Sequence, residues 1–194
     1  MFYDYADAVS AFINKKLIRL FAGLKTVLPI DEINLLGSVN AVYEEADKIL
    51  RQKLLHIAKK TYRELGGEDT VDEIWLNKFL NAVNPTTGYI YANEVDRKRS
   101  RCFESLIASR NKAKDVKTAL RYFSAMATQY TIDVADAAAV EAYKSQGIKK
   151  VRWCSYTDHK VCKTCLERDR KIYNIDKLPS KHWNCRCWFE KVKE

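Results

Sequence analysis

Apolar residues recur along most of this chain at spacings of three and four, the period of a helix with one buried stripe. Over residues 5–28 the stripe is Tyr5, Val9, Phe12, Ile13, Leu17, Leu20, Phe21, Leu24 and Leu28. Pro29 ends that helix, because proline lacks an N–H and its ring collides with the preceding turn. Asp31 is placed to cap a second helix reaching Leu65, with Ile33, Leu36, Tyr43, Ile49, Leu50, Ile57 and Tyr62 on its buried side. Gly66-Gly67 closes it. Residues 71–83 predict a shorter helix with Val71, Ile74, Trp75, Phe79 and Val83 on one face, and Asn84-Pro85-Thr86-Thr87-Gly88 reads as a turn. A helical pattern resumes over 93–127 through Val95, Phe103, Leu106, Ile107, Val116, Leu120 and Phe123. Thr131 or Asp133 is placed to start a last helix ending near Gly147.

At Gly147 the period changes. Ile148 to Tyr156 predicts a strand with Val151 and Trp153 on one face, and Lys171-Ile172-Tyr173-Asn174 a second strand that returns the chain. The rest of the tail is short, polar, aromatic and rich in cysteine. The expected fold is therefore mainly α: long amphipathic helices followed by a small C-terminal α+β module over 148–194.

Composition sharpens this picture. With 47% apolar residues in 194, the chain has enough to build a core. No stretch approaches the roughly 18 consecutive apolar residues of a membrane span. The opening Met1-Phe2-Tyr3-Asp4-Tyr5-Ala6-Asp7 lacks the basic region of a secretory signal, so assembly in the cytosol is the expectation. Five of the six cysteines fall between Cys154 and Cys187; only Cys102 lies apart. Such clustering in a cytosolic chain points to metal rather than to disulfides. From Ile148 onward there are 13 Lys/Arg and 6 Asp/Glu, a balance of +7 out of the net +9. A basic tail of this kind suits nucleic acid or another polyanion, and equally a solvated surface. The run Arg97-Lys98-Arg99-Ser100-Arg101 reads first as a solvated helix face and second as a phosphate contact.

The candidate chemistry lies in the tail. Cys162-Lys163-Thr164-Cys165 is followed, sixteen residues on, by His182-Trp183-Asn184-Cys185-Arg186-Cys187. A Cys-x-x-Cys turn sets two sulfurs on one side of a tight knuckle, and a second knuckle about 15–20 residues later completes a tetrahedron. Thiolate and imidazole are the ligands zinc prefers. Cys162, Cys165, His182 and Cys185 are the expected set, with Cys187 able to replace either of the last two. Trp153, Trp183 and Trp188 are expected to shield the site, Cys154 to lie buried in its strand, and Arg186 to donate hydrogen bonds around it. Because ligands oversupply a closed site, the zinc is expected to be structural.

Other chemistries leave weaker traces. Asp158-His159, Asn174 and His182 loosely resemble a His-Asn-His nuclease, but the Cys-x-x-Cys lies inside that span. A zinc-dependent nucleic-acid-binding regulator would offer a recognition helix, and none is evident. There is no Gly-x-Ser-x-Gly and no phosphate-binding glycine loop. His56, between Leu55 and Ile57, reads as a structural residue. The expectation is a protein that is not an enzyme.

The tail from about Tyr130 to Trp188 resembles the C-terminal domain of phage minor head proteins, the Mu protein F-like head morphogenesis family of tailed bacteriophages. That family shows an alanine-rich helix, a glycine, a strand ending in tryptophan, an aspartate, Cys-x-x-Cys, an Asp-Gly turn, a proline and His-Pro-x-Cys-Arg-Cys. Here stand Asp136-Ala137-Ala138-Ala139-Val140-Glu141-Ala142, Gly147, Val151-Arg152-Trp153, Asp158, Cys162, Cys165, Asp169, Pro179, His182, Cys185, Arg186 and Cys187. Arg170 replaces the usual glycine, Trp183 the usual proline, and Tyr130-Thr131-Ile132 a common Arg-Thr-Glu-like helix start. No departure removes a ligand. The resemblance implies a helical body over 1–129 that meets portal and capsid, and a family domain over 130–194. It implies a virion component at the portal, made in the host cytoplasm, with portal protein and major capsid protein as partners. Packaged double-stranded DNA would be a further, sequence-blind contact during packaging or ejection.

Overall fold

The computed structural model describes residues 11, 14–25, 32–68, 71–156 and 161–192. Within the first predicted helix, residues 14–22 are helical (α1) and Gly23–Lys25 form a 3-10 turn. Leu17, Phe21 and Leu24 are buried as the stripe requires. Tyr5, Val9, Phe12, Ile13, Leu28, Pro29 and Asp31 lie outside the described residues.

The second helix, α2, spans Glu32–Glu64. Its buried line is Leu35, Val39, Tyr43, Ala46, Leu50, Leu54, Ile57 and Thr61. Those steps of four, four and three repeat every 11 residues, close enough to the α-helical period that the line runs nearly straight. Ile33 and Leu36, expected on that face, fall off the line and are 80% and 43% exposed. The helix ends in a Schellman motif: Gly66 takes φ +83, and the Gly67 N–H reaches back to the Tyr62 carbonyl at 2.9 Å.

The third helix, α3, is Glu73–Asn81, capped by Asp72, whose carboxylate accepts the Trp75 N–H at 2.8 Å. Leu76 and Leu80 form its buried face. The expected face is thus corrected: Ile74 and Val83 are 78% and 62% exposed, while Trp75 and Phe79 stack on each other half-buried. Two buried leucines one turn apart outweigh the aromatic line.

The single helix expected over 93–127 is two. Tyr91–Ile107 forms α4 and Lys112–Ser145 forms α5. Asn111 makes the break, since its side chain accepts the Lys114 N–H at 3.1 Å and starts α5 afresh. Nor does a new helix start at Thr131 or Asp133. The Thr131 hydroxyl donates to the Ala127 carbonyl within the helix at 2.8 Å, and the Asp133 carboxylate turns sideways into the protein. Tertiary packing here overrides two modest local preferences against helix.

α2, α4 and α5 pack on one another, with α1 and α3 against them. At the centre Phe21, Tyr43 and Phe123 meet ring to ring, with centroids 5.4–5.9 Å apart. Residue 130 falls inside α5, so that helix serves two cores. Val134, Ala138 and Ala142 belong to the body, and Tyr143 to a second cluster with Val151, Trp153, Ile175 and Phe189. Gly147, at φ +73, ends α5 in another Schellman motif, with Ile148 N–H on the Tyr143 carbonyl at 3.0 Å.

The tail contains β1 (Lys150–Cys154), α6 (Lys163–Arg168), β2 (Ile172–Asn174) and β3 (Trp188–Lys191). The strands form one antiparallel sheet of order β2-β1-β3, pairing Arg152 with Ile172 on one side and Glu190 on the other. Val151 and Trp153 face inward together, as the alternation predicts. The protein is mainly helical with a small C-terminal sheet. Among the described residues no helix is long and apolar enough to cross a membrane.

Candidate metal centre

Cys162 is the N-cap of α6, and its sulfur accepts the Cys165 N–H at 3.4 Å. That turn aims both sulfurs the same way. The second knuckle closes through the Cys185 N–H on the His182 carbonyl at 3.1 Å, with Asn184 in the left-handed region at φ +58. His182 Nδ1 bonds the Trp183 carbonyl at 2.8 Å, which leaves Nε2 facing the sulfurs. Nε2 lies 3.3 Å from Cys162 Sγ and 3.1 Å from Cys165 Sγ. Cys165 Sγ is in turn 3.7 Å from Cys185 Sγ.

Two overlapping groups could hold a metal: Cys162, Cys165 and His182, and Cys165, Cys185 and Cys187. In each group the ligand atoms lie within 4.8 Å of one another, and Cys165 belongs to both. So many soft donors so close together distribute their protons unevenly. Hydrogen bonding from Cys187 holds the Cys185 thiol down at about 5, and the same contact with burial pushes Cys187 up. Burial pushes Cys165 up to about 12. Cys162 is lowered, chiefly by the Cys165 N–H, and His182 is raised, chiefly by the Trp183 carbonyl. A cation among them is the simplest way to hold several thiolates at once.

All five predicted donors meet. Comparison with protein-family models, curated proteins and solved structures gives no match to this chain. The surroundings follow the sequence in part. Cys154 is buried on the sheet and stands apart from both metal groups. Trp153 is fully buried behind the site, Trp188 meets Tyr156 at 5.2 Å, and Trp183 stays 36% exposed. The Arg186 guanidinium lies over the Tyr156 ring at 5.0 Å. Asp158 and His159, on which a nuclease reading depends, lie outside the described residues, and His182 stands among thiols. His56 lies within α2, as expected, and is exposed.

The sequence gives no sign of what anchors the second knuckle to the body. Asn184 N–H donates to the buried Gln129 side chain at 2.7 Å, and Gln129 donates to Asp133 at 2.8 Å. Asp133 also accepts from Asn84 at 2.8 Å and from the Thr86 hydroxyl at 3.3 Å. This chain of amides and one carboxylate ties the 84–88 turn, α5 and the knuckle together. Beside it Lys181, 7% exposed in its side chain, pairs with Asp136 at 2.5 Å and donates to the Cys187 carbonyl. The contacts that cross from one element to another join partners 45–55 residues apart, which leaves no local pattern to read. A cavity of about 580 Å³ lies away from the thiols, between Trp75 and Phe79 of α3, Val140 of α5, and Leu178 and Pro179. Its apolar walls carry none of the clustered donors.

Proposed function

We propose that Cys162, Cys165, His182 and Cys185 bind one structural zinc ion, and that the chain is a minor head protein of a tailed bacteriophage. The observation that carries the zinc reading is the spacing of the donors. A tetrahedral zinc, with bonds of about 2.3 Å to sulfur and about 2.0–2.1 Å to nitrogen, needs edges near ~3.8 Å between sulfurs and ~3.5 Å from sulfur to nitrogen. The three separations of 3.7, 3.3 and 3.1 Å are of that size, and Cys185 joins Cys162, Cys165 and His182 through its contact with Cys165. Cys185 closes its own knuckle turn, and Cys187 then serves as a hydrogen-bond donor beside it. Four protein ligands leave no place for a water, so the role is structural rather than catalytic.

The head-protein reading is supported by the family-like order of residues from the alanine-rich part of α5 to Cys-Arg-Cys. The left-handed Arg170, at φ +63, adds support, since that is the backbone a glycine would supply in the family's turn. Elemental analysis tests the ion: about one zinc per chain is expected, lost in Cys162→Ser/Cys165→Ser, and zinc-free reduced protein sinks the reading. Mass spectrometry of purified phage particles tests the second part. The chain should be found in few copies per particle; its presence in lysate but absence from particles overturns that assignment.

A further inference from the structure

The small sheet buries one face and leaves the other open. Val151, Trp153 and Phe189 point inward to the second core. On the opposite face stand Lys150, Arg152 and the buried Cys154 of β1, Ile172 and Asn174 of β2, and Trp188 and Glu190 of β3, by the strand pairing and the alternation of side chains. Lys150, Arg152, Ile172, Asn174 and Glu190 are all exposed, and Trp188 is half-buried. The aromatic line continues past the strand ends, where Tyr156 meets Trp188 edge to face and Arg186 lies over Tyr156.

We propose that this outer sheet face is a binding platform for single-stranded nucleic acid. Charge complementarity picks the class of partner. Among the described residues of the face, Lys150 and Arg152, with Arg186 at its edge, present three cations against the carboxylate of Glu190, within a tail that carries most of the net positive charge of the chain. The aromatic content picks the form of the partner. Every base has a flat π-face, and the half-buried Trp188 indole, whose N–H donates to Glu190 at 3.0 Å, lets bases stack while phosphates meet Lys150 and Arg152 on the same face. A duplex hides those faces and would use the cations alone. Stacking on a π-face tolerates every base, so recognition by this platform is blind to sequence. The platform depends on the tail being folded, but on neither the identity of its ion nor a place in a phage head.

Fluorescence anisotropy of the full chain with a labelled mixed-sequence oligonucleotide of about 20 nucleotides, single-stranded and as duplex, is the test. The single strand should bind at least about tenfold more tightly than the duplex, and binding should weaken steeply as salt rises. Arg152→Glu should weaken it about tenfold or more, and Trp188→Ala by about five- to a hundred-fold, the range for losing one stacked base. Trp188→Phe keeps a ring and should retain most of the affinity, which guards against a Trp188→Ala chain that fails to fold. Lys112→Glu on α5, far in sequence from the sheet, should have little effect. No binding at low salt overturns the proposal, as does equal affinity for duplex with Arg152→Glu silent. A protein that retains its zinc yet ignores the oligonucleotide refutes this inference alone and leaves the zinc reading standing.

Discussion

Arg170 shows how one residue can be read twice. In the sequence it breaks the resemblance, because a charged side chain stands where glycine is usual. In the structure its backbone takes φ +63, the conformation glycine adopts freely. A left-handed non-glycine residue costs about 1–2 kcal/mol, partly offset because glycine loses more chain entropy on folding. The side chain is 88% exposed, and its ion pair with Asp169, at 3.7 Å, is screened by water. Arg170→Gly should therefore stabilise the tail by up to about 1 kcal/mol, read from urea midpoints of zinc-loaded protein. A lower midpoint would mean that the guanidinium makes a contact that matters. Its neighbour Asp169 carries the opposite lesson. Its carboxylate accepts the Ser155 N–H and hydroxyl, both at 2.8 Å, and those bonds hold its pKa below the ordinary 3.8. A depressed acid contributes stability that is present above its unfolded pKa and lost as pH falls through the lower folded one. Wild type should thus be more stable than Asp169→Asn by a margin that is flat above about pH 5 and shrinks below about pH 4. A margin that grows on acidification contradicts this account. Any metal held by the thiols leaves both chains alike as its ligands protonate, so the difference between them isolates Asp169.

At the scale of elements, the chain was most legible where a pattern is local. The strand carrying Val151 and Trp153, the glycine stops at Gly66 and Gly147, and the Cys-x-x-Cys knuckle all depend on residues a few positions apart, and all appear. The misses share a cause. Ile33, Leu36, Ile74 and Val83 are apolar at helical spacing, but a helix often carries two candidate lines and only its neighbours decide which is covered. The continuity through Asp133 was hidden likewise, because its carboxylate acts through distant partners, whereas the break at Asn111 is a local cap on Lys114 that the apolar period runs across. Asp133 stays helical because Asn84 and Thr86 of the neighbouring turn, and Gln129 one turn back in α5, satisfy its carboxylate. This makes Gln129 the joint between body and knuckle. Gln129→Ala should cost about 1–3 kcal/mol, since it orphans the Asn184 N–H and removes one buried donor to Asp133. Zinc should remain bound but leave faster to a chelator. An unchanged rate of zinc loss would show that the knuckle stands without its anchor.

At the scale of the molecule, the two cores assign different forces to the two ends of the chain. The body is held by a continuous apolar cluster running from Leu17 through α2 and α4 to Ala142. The second cluster is small, and three of its eight buried members are the candidate ligands Cys165, Cys185 and Cys187. Without an ion the buried thiols contribute only as small apolar groups, whereas a bound metal ion would contribute its binding energy to the folded state. Removing the metal should therefore melt the tail and spare the body. After chelation under reducing conditions, limited proteolysis should cut within 148–192 while a fragment containing α2, α4 and most of α5 resists. The far-ultraviolet helical signal should fall little, because α6 is only six residues long. The exchange of amide hydrogens gives a finer reading. Protection should vanish in β1 and β3, weaken over the last turns of α5 around Tyr143, and persist at Val134 and earlier. Loss of protection throughout α5 would mean that the shared helix couples the two cores into one cooperative unit, and that the zinc stabilises the whole chain rather than its tail.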